Sequence, residues 1–320
     1  MPTREEVLKT LEGVNDPELG GNVVELGMIT DVSISDGEVS VGLALTIAEC
    51  PLRSQIEGDT RRRVASMPGV SDVTIRTTAM TKSQRANLMS VARRRVRESA
   101  EPTQVNPTTR VIAIASGKGG VGKSSTSVNL ATAIAASGMS VGLLDADIWG
   151  FSVPRMIGTK GRLEADPGTG LIRPVVSFGV KVVSTGLIID DEETALMWRG
   201  LMLSKALEQF LKQVEWGDLD YLLLDMPPGT GDVQMALMRL LPQAEMLVVT
   251  TPQRAAQKVA VRVADMARRS HMPVVGVVEN MSGSTFGSGG GTDLANQLGV
   301  PQVGTVPLDP AVVTGGDEGR

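Results

Sequence analysis

Val32 and Ile34 alternate with polar residues ahead of Asp36-Gly37, and Val39, Val41, Leu43 and Leu45 alternate after it. A period of two on both sides of an Asp-Gly dipeptide predicts a β-hairpin, because that pair accepts the positive φ angles of a tight primed turn. Ahead of it, Thr3 and Glu6 have the spacing of a capping box, and Val7, Leu8 and Leu11 give one apolar face, so a short helix opens the chain. Pro51 suits the first turn of a second helix carrying Leu52, Ile56, Val64 and Met67. Val73 and Ile75, after Pro68-Gly69, predict a third strand. Together these elements make a small α+β domain over residues 1–98.

The stretch 99–109 is polar, punctuated by Pro102 and Pro107, and has no apolar period. It is predicted to be a linker. Beyond it, apolar runs near 111–116, 140–145, 219–225, 245–251 and 273–279 alternate with helical patterns, one with an apolar face of Leu203, Leu207, Phe210, Leu211 and Val214. Strands and helices in alternation predict an α/β domain over 110–320, with a mainly parallel sheet covered by helices on both faces. Such open sheets bind ligands beyond the carboxyl ends of their strands.

Composition narrows the chemistry. Cys50 is the single cysteine and His271 the single histidine, which excludes an intramolecular disulfide and leaves little material for a multi-histidine metal site. A net charge of −5 gives no global attraction to nucleic acid or to anionic lipid, and an aromatic content of 2% argues against a base-stacking platform. No apolar run approaches the length of a membrane span, and Met1–Glu6 lacks the apolar core of a secretion signal, so a cytoplasmic location is expected, with no membrane or nucleic-acid partner. Arg93, Arg94, Arg95 and Arg97 are read as a solvated helix face.

Gly117-Lys118-Gly119-Gly120-Val121-Gly122-Lys123-Ser124 follows the first apolar run of the larger domain and precedes a helical pattern. This is phosphate-loop spacing: glycines let the backbone wrap around phosphate oxygens, and the helix terminus supplies a positive field. Lys123 is the candidate for phosphate charge, and Ser124 for Mg2+. Asp145-Ala146-Asp147 ends the second apolar strand. Asp147 is the candidate for orienting a hydrolytic water or reporting the γ-phosphate, with Asp145 in support; strand-end aspartates also serve as caps. Leu222-Leu223-Leu224-Asp225 is a strand ending in a carboxylate suited to a magnesium shell, and Met226–Asp232 forms a turn suited to a switch loop.

These motifs, with Met197-Trp198-Arg199-Gly200 and Glu279-Asn280-Met281-Ser282, resemble the Mrp/ApbC family of iron–sulfur cluster carrier ATPases, within the class of MinD- and ParA-like P-loop proteins. Asp16-Pro17-Glu18, Val24–Gly27, Cys50-Pro51 and Met80–Arg85 resemble the small iron–sulfur assembly domain often fused ahead of that ATPase. The resemblance implies ATP and Mg2+ as ligands and a homodimer in which Lys118 reaches nucleotide in the partner subunit. It also implies that Asn280 contacts adenine, and that assembly or apo-acceptor proteins are the partners. An asparagine at a strand end also serves structure alone.

The resemblance implies as well a [4Fe-4S] cluster held between subunits by a Cys-x-x-Cys pair after Asn-Met-Ser. Here that stretch is Gly283-Ser284-Thr285-Phe286-Gly287-Ser288-Gly289-Gly290-Gly291, and hydroxyls are poor substitutes for soft sulfur ligands. Cys50 is then either a thiol for transient transfer, activated by a helix terminus, or a small buried hydrophobe. Relatives of this kind continue into a further helix, so a segment beyond Arg320 is expected. Three functions remain open at this point: a cluster carrier, a nucleotide-switched scaffold that holds no cluster, and a MinD-like positioning ATPase.

Overall fold

The computed structural model describes residues 2–16, 21–45, 53–81, 83–85, 87–88, 90–91, 102–148, 150–188, 200–229 and 231–320, with the backbone alone for 200–203 and 232. The chain divides into two compact units, Met1–Ser99 and Ala100–Arg320. Cys50, Arg93–Arg97 and Met197–Arg199 lie outside the described residues.

In the smaller unit, α1 (Arg4–Leu11) starts at the capping box that the sequence predicts: Glu6 N donates to Thr3 Oγ1 and Thr3 N to Glu6 Oε2. A two-residue pair, β1 (Asn15–Asp16) and β2 (Gly21–Asn22), precedes the hairpin of β3 (Ile29–Ser35) and β4 (Glu38–Leu45). Asp36 and Gly37 take φ angles of 49° and 88°, the positive values the Asp-Gly pair predicts. Helix α2 (Arg53–Ala65) then returns the chain so that β5 (Asp72–Ala79) pairs parallel to β4. Val7, Leu11, Val41, Leu43, Ile56 and Val64 meet in one apolar core.

The larger unit is built on an eight-stranded sheet. Its strands are β6 (Arg110–Ala115), β7 (Val141–Asp145), β10 (Val175–Ser177), β11 (Val180–Val183), β12 (Tyr221–Asp225), β13 (Glu245–Thr250), β14 (Val274–Ser282) and β15 (Gln302–Pro307), in the order β10-β11-β7-β12-β6-β13-β14-β15. All pairs are parallel except β10 with β11. Alternate residues of β6 explain why both faces are covered. Val111, Ala113 and Ala115 enter a core with α5 (Gly200–Gln213), α6 (Asp232–Leu240), α7 (Arg254–Arg269) and α8 (Gly290–Leu298), whereas Ile112 and Ile114 enter another with α3 (Lys123–Ala136) and α4 (Val153–Met156). Leu207, Phe210 and Leu211 of the predicted apolar face are buried on α5. A short pair, β8 (Glu164–Ala165) and β9 (Ile172–Arg173), lies outside the large sheet.

Two features depart from what the sequence predicts. Residues 104–109 do not run free as a linker: Gln104 N donates to Leu211 O, Val105 is buried in the larger core and Thr109 Oγ1 donates to Leu219 O. One apolar side chain among polar neighbours has no period to reveal it. The sheet also gains β10, β11 and β15, whose short or half-exposed strands carry weaker apolar signals than the central five. The last element is α9 (Pro310–Glu318), capped by Asp309, whose carboxylate accepts from Ala311 N.

Candidate functional site

Strand order places the chemistry. Because β12 lies between β7 and β6, Asp225 pairs in register with Asp145 on one side and Ile114 on the other. The ends of three adjacent strands therefore bring together the 117–124 loop, Asp145-Ala146-Asp147 and Asp225. The loop wraps back through Gly120 and Gly122, at φ 77° and 78°, so that Lys123 becomes the first residue of α3.

Lys123 Nζ lies 2.8 Å from Asp225 Oδ2, and Ser124 Oγ donates to the same oxygen at 2.6 Å. The other carboxylate oxygen accepts from Ser127 Oγ at 2.6 Å. Asp225 is fully buried, and these three donors compensate its charge. Ser124 and Asp225 present hard oxygen donors side by side, a set that fits Mg2+. Ser127 belongs to no motif in the sequence, although its position three residues after Ser124 puts both hydroxyls on one helix face.

The two strand-end aspartates of β7 separate into different environments. Asp145 is fully buried; Oδ1 accepts from Asp147 N, and Oδ2 accepts from Ser152 N, Val153 N and Ser184 Oγ. It ties the strand end to the start of α4 and so fills the capping role. Burial, reinforced by the nearby Asp225 carboxylate and opposed by Lys123, pushes its pKa up to about 7. Asp147 is half-buried and accepts from Gly150 N at 3.3 Å; burial raises its pKa too, again opposed by Lys123. Lys118 is exposed on the loop, whereas Lys123 is buried.

The turn after Asp225 is fastened by a residue outside every motif of the sequence. Gln234, buried on α6, accepts from Gly231 N at 2.9 Å and donates through Nε2 to Gly229 O at 3.0 Å and Pro227 O at 3.4 Å. Gly229 N in turn donates to Ser116 O, joining the turn to the root of the phosphate loop. The spacing Gly231-x-x-Gln234 is a helix-start signal that could have pointed to it.

Asn280 sits near the end of β14, 9% exposed, and its Nδ2 donates to Val121 O at 2.9 Å. It borders a cavity of about 570 Å3 that runs past Gly122 and the Pro307-Leu308-Asp309 turn to α9. Glu279 beside it is buried and accepts from Gly289 N and Gly291 N, holding the start of α8. The next turn, Gly283 to Gly287, closes through two backbone hydrogen bonds. Among the described residues no group of three or more His, Cys, Asp or Glu is placed to hold a metal ion.

Comparison with known proteins decides the family. Residues 107–320 match the family described as the NUBPL iron-transfer P-loop NTPase, and residues 4–77 match the iron–sulfur cluster assembly protein family. The chain belongs to the iron-transfer P-loop NTPases. It is 46% identical over 333 residues to an iron–sulfur cluster carrier protein of Mycobacterium leprae, covering 98% of this chain and 85% of that protein. Among solved structures, a nucleotide-binding protein from Archaeoglobus fulgidus in complex with ADP is 31% identical, with a TM-score of 0.58 over 71% of this chain and 91% of the other. The cell division ATPase MinD of Pyrococcus furiosus shares the fold, at 24% identity and a TM-score of 0.52 over 66% of this chain and 88% of the other. These relationships favour the iron–sulfur branch of the family over the positioning ATPases. Among the described residues no helix is long and apolar enough to cross a membrane.

Proposed function

We propose that this chain is a Mg2+-dependent ATPase that works in iron–sulfur cluster assembly or transfer as a homodimer. The observation that carries the reading is the meeting of Lys123 and Ser124, at the start of α3, with Asp225 at the end of β12, in a chain whose relatives are cluster carriers. Lys123 neutralises phosphate charge, exchanging its pairing with Asp225 for the ligand. The loop amides of Gly117, Gly119, Gly120, Val121 and Gly122 bind phosphate oxygens. Ser124 and Asp225 hold Mg2+, which when bound neutralises charge developing on the phosphates. Asp147 orients the attacking water, Lys118 reaches nucleotide in the partner subunit, and Asn280 faces the base.

The iron–sulfur cluster is cargo in this reading. Since 283–291 supplies hydroxyls and Cys50 is the single thiol of residues 1–320, these residues carry no Cys-x-x-Cys pair, and thiolate ligation by them uses Cys50 of each copy together with ligands from an assembly or acceptor protein. Anaerobic incubation with iron and sulfide, followed by iron and sulfide counting and transfer to an apo-acceptor, tests this. Retained ATP turnover without any cluster acquired or passed on would leave the scaffold reading, in which the chain gathers assembly proteins and holds no cargo.

A further inference from the structure

The Asn280 side chain faces two ways. Its Nδ2 donates to the Val121 carbonyl, within the phosphate loop and 159 residues away in sequence. Its surroundings otherwise open to the cavity bounded by Gly122, Met281, Pro307, Leu308 and Asp309. Gly122 passes so close that a Cβ there would overlap Asn280 Nδ2. The loop thus has its shape with this amide pressed against it.

A primary amide has two N–H donors and a carbonyl acceptor. One Nδ2 hydrogen is committed to Val121 O, which leaves the second hydrogen and Oδ1. That remaining donor and acceptor pair matches the N7 and 6-amino edge of adenine, whereas the corresponding guanine edge presents two acceptors.

We infer that Asn280 is a positioning residue for the phosphate loop as well as its base reader, so that one side chain couples the shape of the triphosphate site to the choice of adenine. The inference rests on the nucleotide reading given above and extends it. Its position at the end of β14 is itself fixed, because Glu279 anchors the same strand end to α8. An asparagine that only read the base would matter for ATP and be irrelevant to a ligand without a base.

Inorganic tripolyphosphate with Mg2+ separates these roles. Titration calorimetry on the full chain compares its binding with that of ATP and GTP in the wild type, Asn280→Ala and Asn280→Asp. Loss of a buried hydrogen bond is expected to weaken tripolyphosphate binding by about tenfold in Asn280→Ala, and to reduce the preference for ATP over GTP. In Asn280→Asp, which keeps the size but sets carboxylate against carbonyl, the loss should be at least as large. Tripolyphosphate binding equal to wild type in either folded variant, with only the base preference changed, would overturn the inference. Should circular dichroism show the variants unfolded, the wild type gives its own reading: an Asn280 side-chain amide proton protected from exchange without added nucleotide supports the Val121 bond, and rapid exchange of both protons overturns it. Failure of the wild type to bind ATP or tripolyphosphate at all would instead sink the nucleotide reading.

Discussion

Lys123 Nζ and Asp225 Oδ2 are 2.8 Å apart, with side chains 7% and 0% exposed. Removing one member of a buried pair leaves the other as an uncompensated charge. Lys123→Ala therefore affects the fold as well as phosphate binding, and should lower the unfolding free energy by about 3 kcal/mol in urea denaturation. The double variant Lys123→Met, Asp225→Asn should recover most of that stability and remain inactive. If it proved no more stable than the single variant, the charge argument would be wrong.

Gln234 fastens the turn after Asp225 with three hydrogen bonds to backbone groups. Gln234→Ala should speed hydrogen exchange across 226–231 and lower kcat for ATP by about tenfold, with a smaller change in KM, because misplaced groups slow the reaction more than they weaken binding. Unchanged exchange in that segment would show that the turn keeps its shape without the glutamine.

Asp145 gives stability a pH dependence of defined sign. Its folded pKa of about 7 lies above the unfolded value of 3.8, so the folded chain holds more protons between these limits. Its contribution is full below the unfolded pKa and is lost as pH rises through about 7. The thermal midpoint of the wild type, relative to Asp145→Asn, should accordingly fall from about pH 4 to about pH 7 and level off above that. A constant difference across that range would mean that Asp145 stays ionised throughout.

Gly158, at φ 61°, lies against Gly319, and a Cβ added to it would overlap the Gly319 carbonyl oxygen. Gly158→Ala should release the end of α9, seen as faster hydrogen exchange over 310–319, at a cost of about 1–3 kcal/mol. Arg155 and Asp317 bridge the same elements at 3.4 Å but are both exposed, so Asp317→Ala should change stability by about 0.5 kcal/mol or less. Equal effects from the two substitutions would reverse this ranking.

Strands and turns with strong local signals are legible in the amino-acid sequence alone. Thr3 with Glu6 and Asp36 with Gly37 carry their conformations in their own chemistry, and the central strands are apolar because both faces of the sheet are covered. The phosphate loop and Asp225 are equally plain, since a glycine-rich turn and an apolar strand ending in a carboxylate are local patterns. Pairing across the chain has no such local mark. Ser127, Ser184 and Gln234 are ordinary polar residues until β7, β12 and α6 bring them to Asp145, Asp225 and the turn at 227–231. Asp145 and Asp147 look equivalent in sequence, and only the backbone amides of Ser152 and Val153 turn the first into a cap.

The two loop lysines, five positions apart, meet solvent very differently: Lys118 is exposed and Lys123 is enclosed. An amine-reactive label will accordingly mark the first and spare the second. If the proposed dimer brings Lys118 to the partner's nucleotide, association of two copies should protect Lys118 from that label, while Lys123 stays unreactive in either state.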